Sequence, residues 1–303
     1  MMTINDLLTE CVKVAEEVAG QIVLPHPSGD MRNPAVHAYW LPLLPGYLKE
    51  EAPLIVVSPI RGEDGDEGST CQVRFDVATW SQDDEGKADC KRLMDRLRNR
   101  LLQTRNVGGF PLVLPMDWER DGEDEAPYYM GSLTATFNIA SYIREGFGNV
   151  EFEPGHQPPD LVTAITWAVE RLLAGKVMDD PMGGRRPPKV HPYHTPLKEP
   201  GQSDIPQVTV TPESGEDGEE QSTEVLTIEV ATYSEDLAGW MDLLSVIERL
   251  RGGLAAHPLV DGRYQMESPL QWETSPLDEY PHWKATVTTT WSYPRYVMGG
   301  PDL

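Results

Sequence analysis

A long internal repeat is the feature that most constrains the fold of this 303-residue chain. Residues 53–102 align without a gap with residues 206–255, at a constant offset of 153, and about 21 of the 50 aligned pairs are identical. At an offset of 154, a Pro-x-x-Trp-Glu motif at 115–119 matches a second one at 269–273. The period is much longer than the ~20–50 residues of a solenoid repeat, so it predicts two whole domains of one fold.

The predicted domains are residues 3–145 and 160–298, joined by a Pro- and Gly-rich linker near Glu153–Pro159. In each domain, hydrophobic periodicity indicates a helix, a short strand, a long loop, a hairpin, a second helix and two further strands. Thr3 begins a capping box at the start of the first helix, and Asp160 is the expected cap of its counterpart. These elements predict an α+β fold, in which each domain packs two helices on one face of an antiparallel or mixed sheet.

Apolar spacing also predicts which residues form the two cores. An alternating strand is expected through Ile55 and Val57 that ends at Pro59, and the matching strand is expected to end at Pro212. The expected inner faces of the second helices comprise Cys90, Leu93, Met94, Leu97 and Leu101 in one domain, and Trp240, Leu243, Leu244, Ile247, Leu250 and Leu254 in the other.

The aromatic residues of the repeat are interpreted as core rather than contact surface. Trp118 and Trp272 belong to the two Pro-x-x-Trp-Glu motifs, and Tyr129 matches Trp283 at an offset of 154. A large aromatic residue near a strand end contributes much buried area to a core. We therefore expect all four side chains to be buried.

The charge balance limits the kinds of partner. The chain carries 49 acidic and 25 basic residues, a formal net charge of −24. Such an excess disfavours wrapping nucleic acid or binding an anionic membrane surface, because both need Lys and Arg. The sequence contains no apolar run of 18 residues and no signal-peptide pattern at its N-terminus, so we expect no membrane span and folding in a reducing cytoplasm.

The sequence carries none of the common motifs for catalysis or cofactor binding. The sequence lacks the nucleophile-elbow, P-loop and dinucleotide-binding patterns. His191 and His194 have no further ligands nearby for a zinc ion, which needs about four donors. Cys71 and Cys90 align with Glu224 and Leu243, which favours packing positions. The sequence predicts no enzyme, no cofactor and no metal; a duplicated hydrolase would need a buried carboxylate or histidine cluster that no motif indicates.

An acidic, Gly-rich turn occurs once in each domain. Its acidic residues are Glu63, Asp64, Asp66 and Glu67 in the first turn, and Glu216, Asp217, Glu219 and Glu220 in the second. A calcium loop is one interpretation, although the EF-hand spacing is absent. A solvated hairpin tip is another, with Gly supplying positive φ. The third is a functional acidic finger that faces a partner or a channel carrying DNA.

The order of motifs resembles the tail terminator proteins of long-tailed bacteriophages. In each domain a Pro-x-[IV]-x-V-x-P strand, the acidic turn and a [VI]-A-T-[YW]-S-x-D strand end are followed by a helix that ends in Arg-Leu-Arg. The Pro-x-x-Trp-Glu strand and a Thr-rich strand complete the set. The resemblance covers most of the chain, and related neck and tail-completion proteins share a similar topology.

The resemblance implies a virion structural protein without catalytic residues. Members of this family are single domains that form six-fold rings, cap the tail tube and offer a surface to the head. Two domains in one chain would make a trimer with pseudo-six-fold symmetry. The implied partners are other copies of the chain, the tail tube protein and a neck or head-completion protein, with assembly in the bacterial cytoplasm. DNA would pass through without specific binding, and the eight acidic residues would face the lumen or the tube.

A second function class stays open at this point. Strong acidity also suits a regulatory binding module such as a DNA-mimic inhibitor, which would act as a monomer or dimer. A ring protein would instead associate with itself as its concentration rises.

Overall fold

A computed structural model describes residues 3–38, 51–66, 68–83, 85–120, 126–139, 160–194, 204–218, 221–235, 239–275 and 281–294. The chain divides into two compact units. Unit 1 comprises residues 1–63, 67–140 and 274–281, and unit 2 comprises residues 64–66, 141–273 and 282–303. The fold is mixed α/β, with helices and a mixed sheet in each unit. The predicted linker Glu153–Pro159 lies outside the described residues.

The elements of the first half run from α1 to β8. They are α1 Ile4–Ala19, β1 Leu24–Pro25, β2 Met31–Arg32, β3 Ala35–Ala38, β4 Leu54–Gly65, β5 Gly68–Trp80, α2 Glu85–Thr104, β6 Asn106–Val107, β7 Phe110–Arg120 and β8 Tyr128–Ile139. The sheet order is β3-β4-β5-β8-β7-β6. Strand β3 is parallel to β4, whereas β8 is antiparallel to both β5 and β7.

The second half repeats this order. Its elements are α3 Leu161–Leu172, β9 Met178–Asp179, β10 Arg185–Arg186, β11 Lys189–Pro192, β12 Gln207–Asp217, β13 Gln221–Tyr233, α4 Gly239–Ala256, β14 Leu259–Val260, β15 Tyr264–Thr274 and β16 His282–Pro294. The sheet order is β11-β12-β13-β16-β15-β14, again with a parallel first pair. Strands β5 and β13 have the same length and differ by 153 positions, and β7 and β15 differ by 154.

The helices begin where their caps predict. Thr3 accepts a hydrogen bond from the backbone N–H of Asp6 at 3.2 Å, and the Asp6 carboxylate accepts one from the backbone N–H of Thr3 at 2.8 Å. Asp160 accepts a hydrogen bond from the backbone N–H of Thr163 at 2.9 Å. Both caps satisfy amide groups that have no partner inside the helix, so these two predictions are confirmed.

The predicted inner faces of α2 and α4 form the cores beneath them. All five predicted residues of α2 are buried, as are five of the six predicted on α4. Trp240 differs, since it is only partly buried. Arg251 lies on the buried side of α4 instead, which apolar spacing does not predict. A charged side chain is rarely buried unless it is paired.

Two expectations about the hairpins are wrong. Strand β4 continues past Pro59 to Gly65, and β12 continues past Pro212 to Asp217. The β12–β13 ladder shifts its register between Pro212 and Ser214, as a bulge does, and pairing then resumes.

Strand β4 also departs from the predicted alternation, because it is buried on both faces. Ile55 and Val57 are buried as expected. Leu54 and Val56 are buried as well, in a second apolar cluster with Ala78. A strand covered on both sides has no wet face to carry polar residues, so its sequence does not alternate.

Candidate functional site: the two acidic turns

The two acidic turns connect β4 with β5 and β12 with β13. In the first turn Glu63 and Asp66 are exposed, whereas only 8% of Asp64 is exposed. In the second turn both Glu216 and Asp217 are exposed. The other predicted residues, Glu67, Glu219 and Glu220, lie outside the described residues. The two turns therefore differ at Asp64 and Asp217, which occupy the same place in the repeat.

Asp64 forms a bidentate ion pair with Arg251. Residues 64–66 belong to unit 2, which also contains α4 and Arg251. Arg251 donates from Nε to Asp64 Oδ2 at 2.6 Å and from Nη2 to Asp64 Oδ1 at 2.5 Å. Only 1% of Arg251 is exposed. The planar guanidinium matches both carboxylate oxygens, which is the geometry that compensates best for the loss of water around two charges.

Further groups of unit 2 surround this ion pair. Glu248 Oε2 lies 3.4 Å from Arg251 Nη1, and the Trp272 ring centre lies 5.9 Å from the Arg251 Cζ. Ser268 donates from Oγ to Asp66 Oδ1 at 2.9 Å. The guanidinium therefore has two carboxylates and one indole face around it, which are three favourable contacts for a cation removed from water.

The corresponding residues of the other repeat are not buried. Arg98 aligns with Arg251 in the Arg-Leu-Arg motif, and Asp217 aligns with Asp64. Arg98 is exposed, and within the described part of the chain it makes no hydrogen bond or ion pair. Asp217 is exposed and accepts a hydrogen bond from Ser222 Oγ at 2.6 Å. Reasoning from the sequence missed both arginines as site residues, although their retention in both Arg-Leu-Arg motifs was the available signal.

The two motif tryptophans also have different surroundings. Trp272 is buried, as predicted, but the prediction is wrong for Trp118, half of which is exposed. Lys91 Nζ lies 4.8 Å above the centre of the Trp118 ring. Leu114, on the same strand β7, is 49% exposed. Strand β7 therefore presents apolar side chains to solvent where β15 buries Trp272.

The second predicted aromatic pair is buried in both repeats, so that prediction is confirmed. Tyr129 and Trp283 each pack against a glycine in the first turn of a helix, Gly86 of α2 and Gly239 of α4. A Cβ added at Gly86 would lie 2.2 Å from the Tyr129 ring, and one added at Gly239 would lie 2.4 Å from Trp283 Nε1. The glycines are required because no side chain fits between helix and ring.

Unit 1 contains a polar cleft of about 310 Å³ on β5, β7 and β8, lined by Arg74, Asp76, Glu119, Arg120, Met130, Gly131 and Ser132. Arg74 Nε donates to Asp76 Oδ1 at 2.7 Å. Burial raises the pKa of Asp76, although the Arg74 charge and hydrogen bond act to lower it. Arg74 Nη2 also lies 3.8 Å from Glu119 Oε1, and Ser132 Oγ donates to the same carboxylate oxygen at 3.2 Å, so these polar groups of the cleft pair with one another.

His191, His194 and the three cysteines are candidates for metal or thiol chemistry. His191 Nε2 lies 3.7 Å from Asp204 Oδ2, and His194 is exposed. Across the described ranges, no group of three or more His, Cys, Asp or Glu side chains is arranged to hold a metal ion. Cys11, Cys71 and Cys90 are buried free thiols, which confirms the packing positions predicted for Cys71 and Cys90. Burial raises the pKa of the Cys11 thiol well above its usual value.

Comparison of the chain with protein-family models and with curated proteins finds no match. No helix within the described residues is both long and apolar enough to cross a membrane.

Proposed function

We propose that the chain is a non-enzymatic structural protein of a bacteriophage virion. In this proposal residues 3–145 and 160–298 are two copies of one tail-terminator-like domain. The chain assembles into a ring, favoured as a pseudo-six-fold trimer, which caps the tail tube and joins it to the neck or head while DNA passes through.

The observation that carries the proposal is the agreement between repeated motifs and repeated elements. The strand–acidic turn–strand hairpin occurs as β4–β5 and as β12–β13, each followed by a helix and two strands. The motifs that carry the resemblance to tail terminators occupy the same elements in both halves. Six-fold rings built from single domains have a natural counterpart in three chains of two domains each.

The acidic residues of the turns support a position beside passing DNA, with the exception of Asp64. The charge of Asp64 is balanced by Arg251, so the proposed repulsion falls to the exposed carboxylates. Among the described residues of the turns these are Glu63, Asp66 and Glu216, and Asp217 is also exposed in the single chain. Carboxylates that line a narrow passage raise its negative potential and disfavour phosphate contact.

Electron microscopy of the purified protein tests the ring, and labelling of virions tests its place. We expect negatively stained rings of three chains, and an antibody against the chain should bind where head and tail meet. Light scattering across a range of protein concentration gives the mass of the assembly independently. Antibody label confined to the capsid or the distal tail would overturn the proposal.

The alternative, a DNA-mimic inhibitor, makes the opposite prediction. The net charge of −24 favours it over other binding modules. An inhibitor would remain a monomer or dimer at all concentrations and would displace DNA from a DNA-binding enzyme. A ring protein would do neither.

A further inference from the structure

Unit 2 contains a complete example of how an acidic turn of this protein is bound. The segment 64–66 contacts α4 through Asp64 and Arg251, and it contacts β15 through Asp66 and Ser268. Trp272 of β15 is buried beside the same guanidinium. Residues 64–66 are thus bound within unit 2 by one helix and one strand.

Each chain also contains a second arginine surface and a second acidic turn, and within the described residues these two do not form such a contact. We define the Arg98 surface as Arg98 of α2 together with Leu114 and Trp118 of β7. These residues align with Arg251, Ser268 and Trp272, and all three are exposed. The sheet order places β7 near an edge, because its neighbour β6 pairs only with the residues at its start. Edge strands with exposed apolar residues are surfaces on which other chains dock.

The second acidic turn connects β12 with β13. Its ladder continues to the pair Asp217–Ser222, which presents Asp217 at the end of a two-stranded projection. Asp217 is exposed, as is Glu216 beside it. The tip carries the Gly-Glu-Asp-Gly sequence of 62–65, so it has the same carboxylate at the same place.

We propose that Asp217 of one chain binds Arg98 of a second copy of this chain, with the pairing that Asp64 makes with Arg251. The occupant of the Arg98 surface is the second acidic turn, because its charge, its sequence and its place between two consecutive strands all match a pairing already present in unit 2. Each chain offers one tip and one Arg98 surface, which makes the contact heterologous, or head-to-tail. The inference rests on the proposed function for ring closure, since a head-to-tail contact otherwise continues as a filament.

The proposal also explains the half-exposed residues of β7. In unit 2 the aligned Trp272 is buried next to a bound tip, whereas Trp118 is not. Docking of the second turn would cover Trp118 and Leu114, so apolar burial would add to the ion pair. The buried partner charges then fix the register of the contact, because any shift leaves a charge without its partner in a dry interface.

Charge reversal and its rescue test the contact. The variants are Arg98→Glu, Asp217→Arg and the double variant carrying both, with Glu229→Arg as a control that makes the same charge change at an exposed position of β13 outside the acidic turn. Mass photometry and analytical ultracentrifugation measure association of the full chain over a range of concentration. We expect each single variant to need at least about tenfold more protein to associate than the wild type, because like charges meet. The double variant should associate as the wild type does, and so should Glu229→Arg.

Two further measurements show that the variants fold and where they touch. Thermal unfolding of all variants should match the wild type under dilute conditions, since both residues are exposed. The three natural thiols are buried. A chain with Arg98→Cys and Asp217→Cys, treated with a short bis-maleimide, should therefore link only between these positions and form dimers and trimers.

The outcomes separate this inference from the proposed function. If the wild type forms rings and the single variants form them equally well, the Asp217–Arg98 contact is wrong while the ring stands. If reversal and rescue hold but only open filaments or dimers are seen, the contact stands and the ring fails. A wild-type chain that stays monomeric at every concentration overturns both.

Discussion

Arg251 and Asp64 form a bidentate ion pair inside unit 2 although they are 187 positions apart in the sequence. Both side chains are almost wholly removed from water. The two hydrogen bonds and the nearby Glu248 and Trp272 offset the loss of hydration. Within unit 2 the pair joins residues 64–66 to helix α4, and its sequence counterparts Asp217 and Arg98 are exposed.

Removal of one partner from this buried pair should destabilise the protein strongly. We expect Asp64→Ala to lower the free energy of unfolding by about 3–5 kcal/mol, because Arg251 is left buried without its carboxylate. Asp217→Ala is the matched control, and it should change stability by no more than about 0.5 kcal/mol in dilute solution. Urea unfolding measures both. Equal effects of the two substitutions would contradict the difference in their environments.

Substitution of the buried motif tryptophan should likewise destabilise the protein more than substitution of the exposed one. Trp272→Ala is expected to cost about 3–5 kcal/mol, since it removes a buried indole and leaves a cavity. Trp118→Ala should cost about 1 kcal/mol or less, because it removes a half-exposed ring and its contact with Lys91. Denaturant unfolding of the two variants at low protein concentration gives the comparison. A Trp118→Ala loss as large as that of Trp272→Ala would show that Trp118 is a core residue after all.

Added volume at the two matched glycines should be poorly tolerated. Gly86→Ala and Gly239→Ala place a Cβ within 2.2 Å of Tyr129 and 2.4 Å of Trp283. The ring must shift in each case, and we expect losses of about 1–3 kcal/mol despite the better helix propensity of alanine. Asn99→Ala on the exposed side of α2 is the control, and it should not lower the melting temperature. Unchanged stability of both glycine variants would contradict this packing.

The cap of α3 should make stability depend on pH. Burial acts to raise the pKa of Asp160, but hydrogen bonds from the Tyr193 hydroxyl and from Thr163 outweigh it and lower the pKa. A lowered folded-state pKa stabilises the protein above the unfolded pKa of ~3.9. That stability is lost as the pH falls through the folded-state pKa. Asp160→Ala should cost about 1 kcal/mol at pH 7, and its deficit relative to the wild type should shrink below pH 4.

Asparagine separates the cap from the charge at this position. Asp160→Asn retains a capping side chain and cannot titrate, so its stability at pH 7 should exceed that of Asp160→Ala. The measurement is the free energy of unfolding of the three proteins between pH 3 and pH 7. A deficit of Asp160→Ala that stays constant with pH would contradict the role assigned to the carboxylate.

The thiols should be inert in the native protein. All three cysteines are buried, and burial raises the pKa of Cys11, so little thiolate forms at neutral pH. We expect a chromogenic disulfide reagent to release no rapid colour from the folded chain and three equivalents per chain after unfolding in guanidinium. Rapid labelling of one thiol before unfolding would show an accessible site.

Local patterns were sufficient for the parts of this fold that depend on near neighbours in the sequence. The caps at Thr3 and Asp160 need only residues within one helical turn, and the buried faces of α2 and α4 follow from helical spacing. The strand end expected at Pro59 was wrong, because a strand is ended by loss of its partner and the missing N–H of one proline does not remove the remaining pairing.

The sequence by itself determined that the same motifs occur twice, in the same order and on elements of the same kind. The sequence could not decide whether a given copy of a motif is buried or exposed. Asp64 and Asp217 share their neighbours in the sequence, yet one is buried against Arg251 and the other is exposed. Burial depends on which distant side chains arrive in space, and that is set by tertiary packing. Similar local sequence therefore produced elements of the same kind, while only the tertiary structure assigned them different environments.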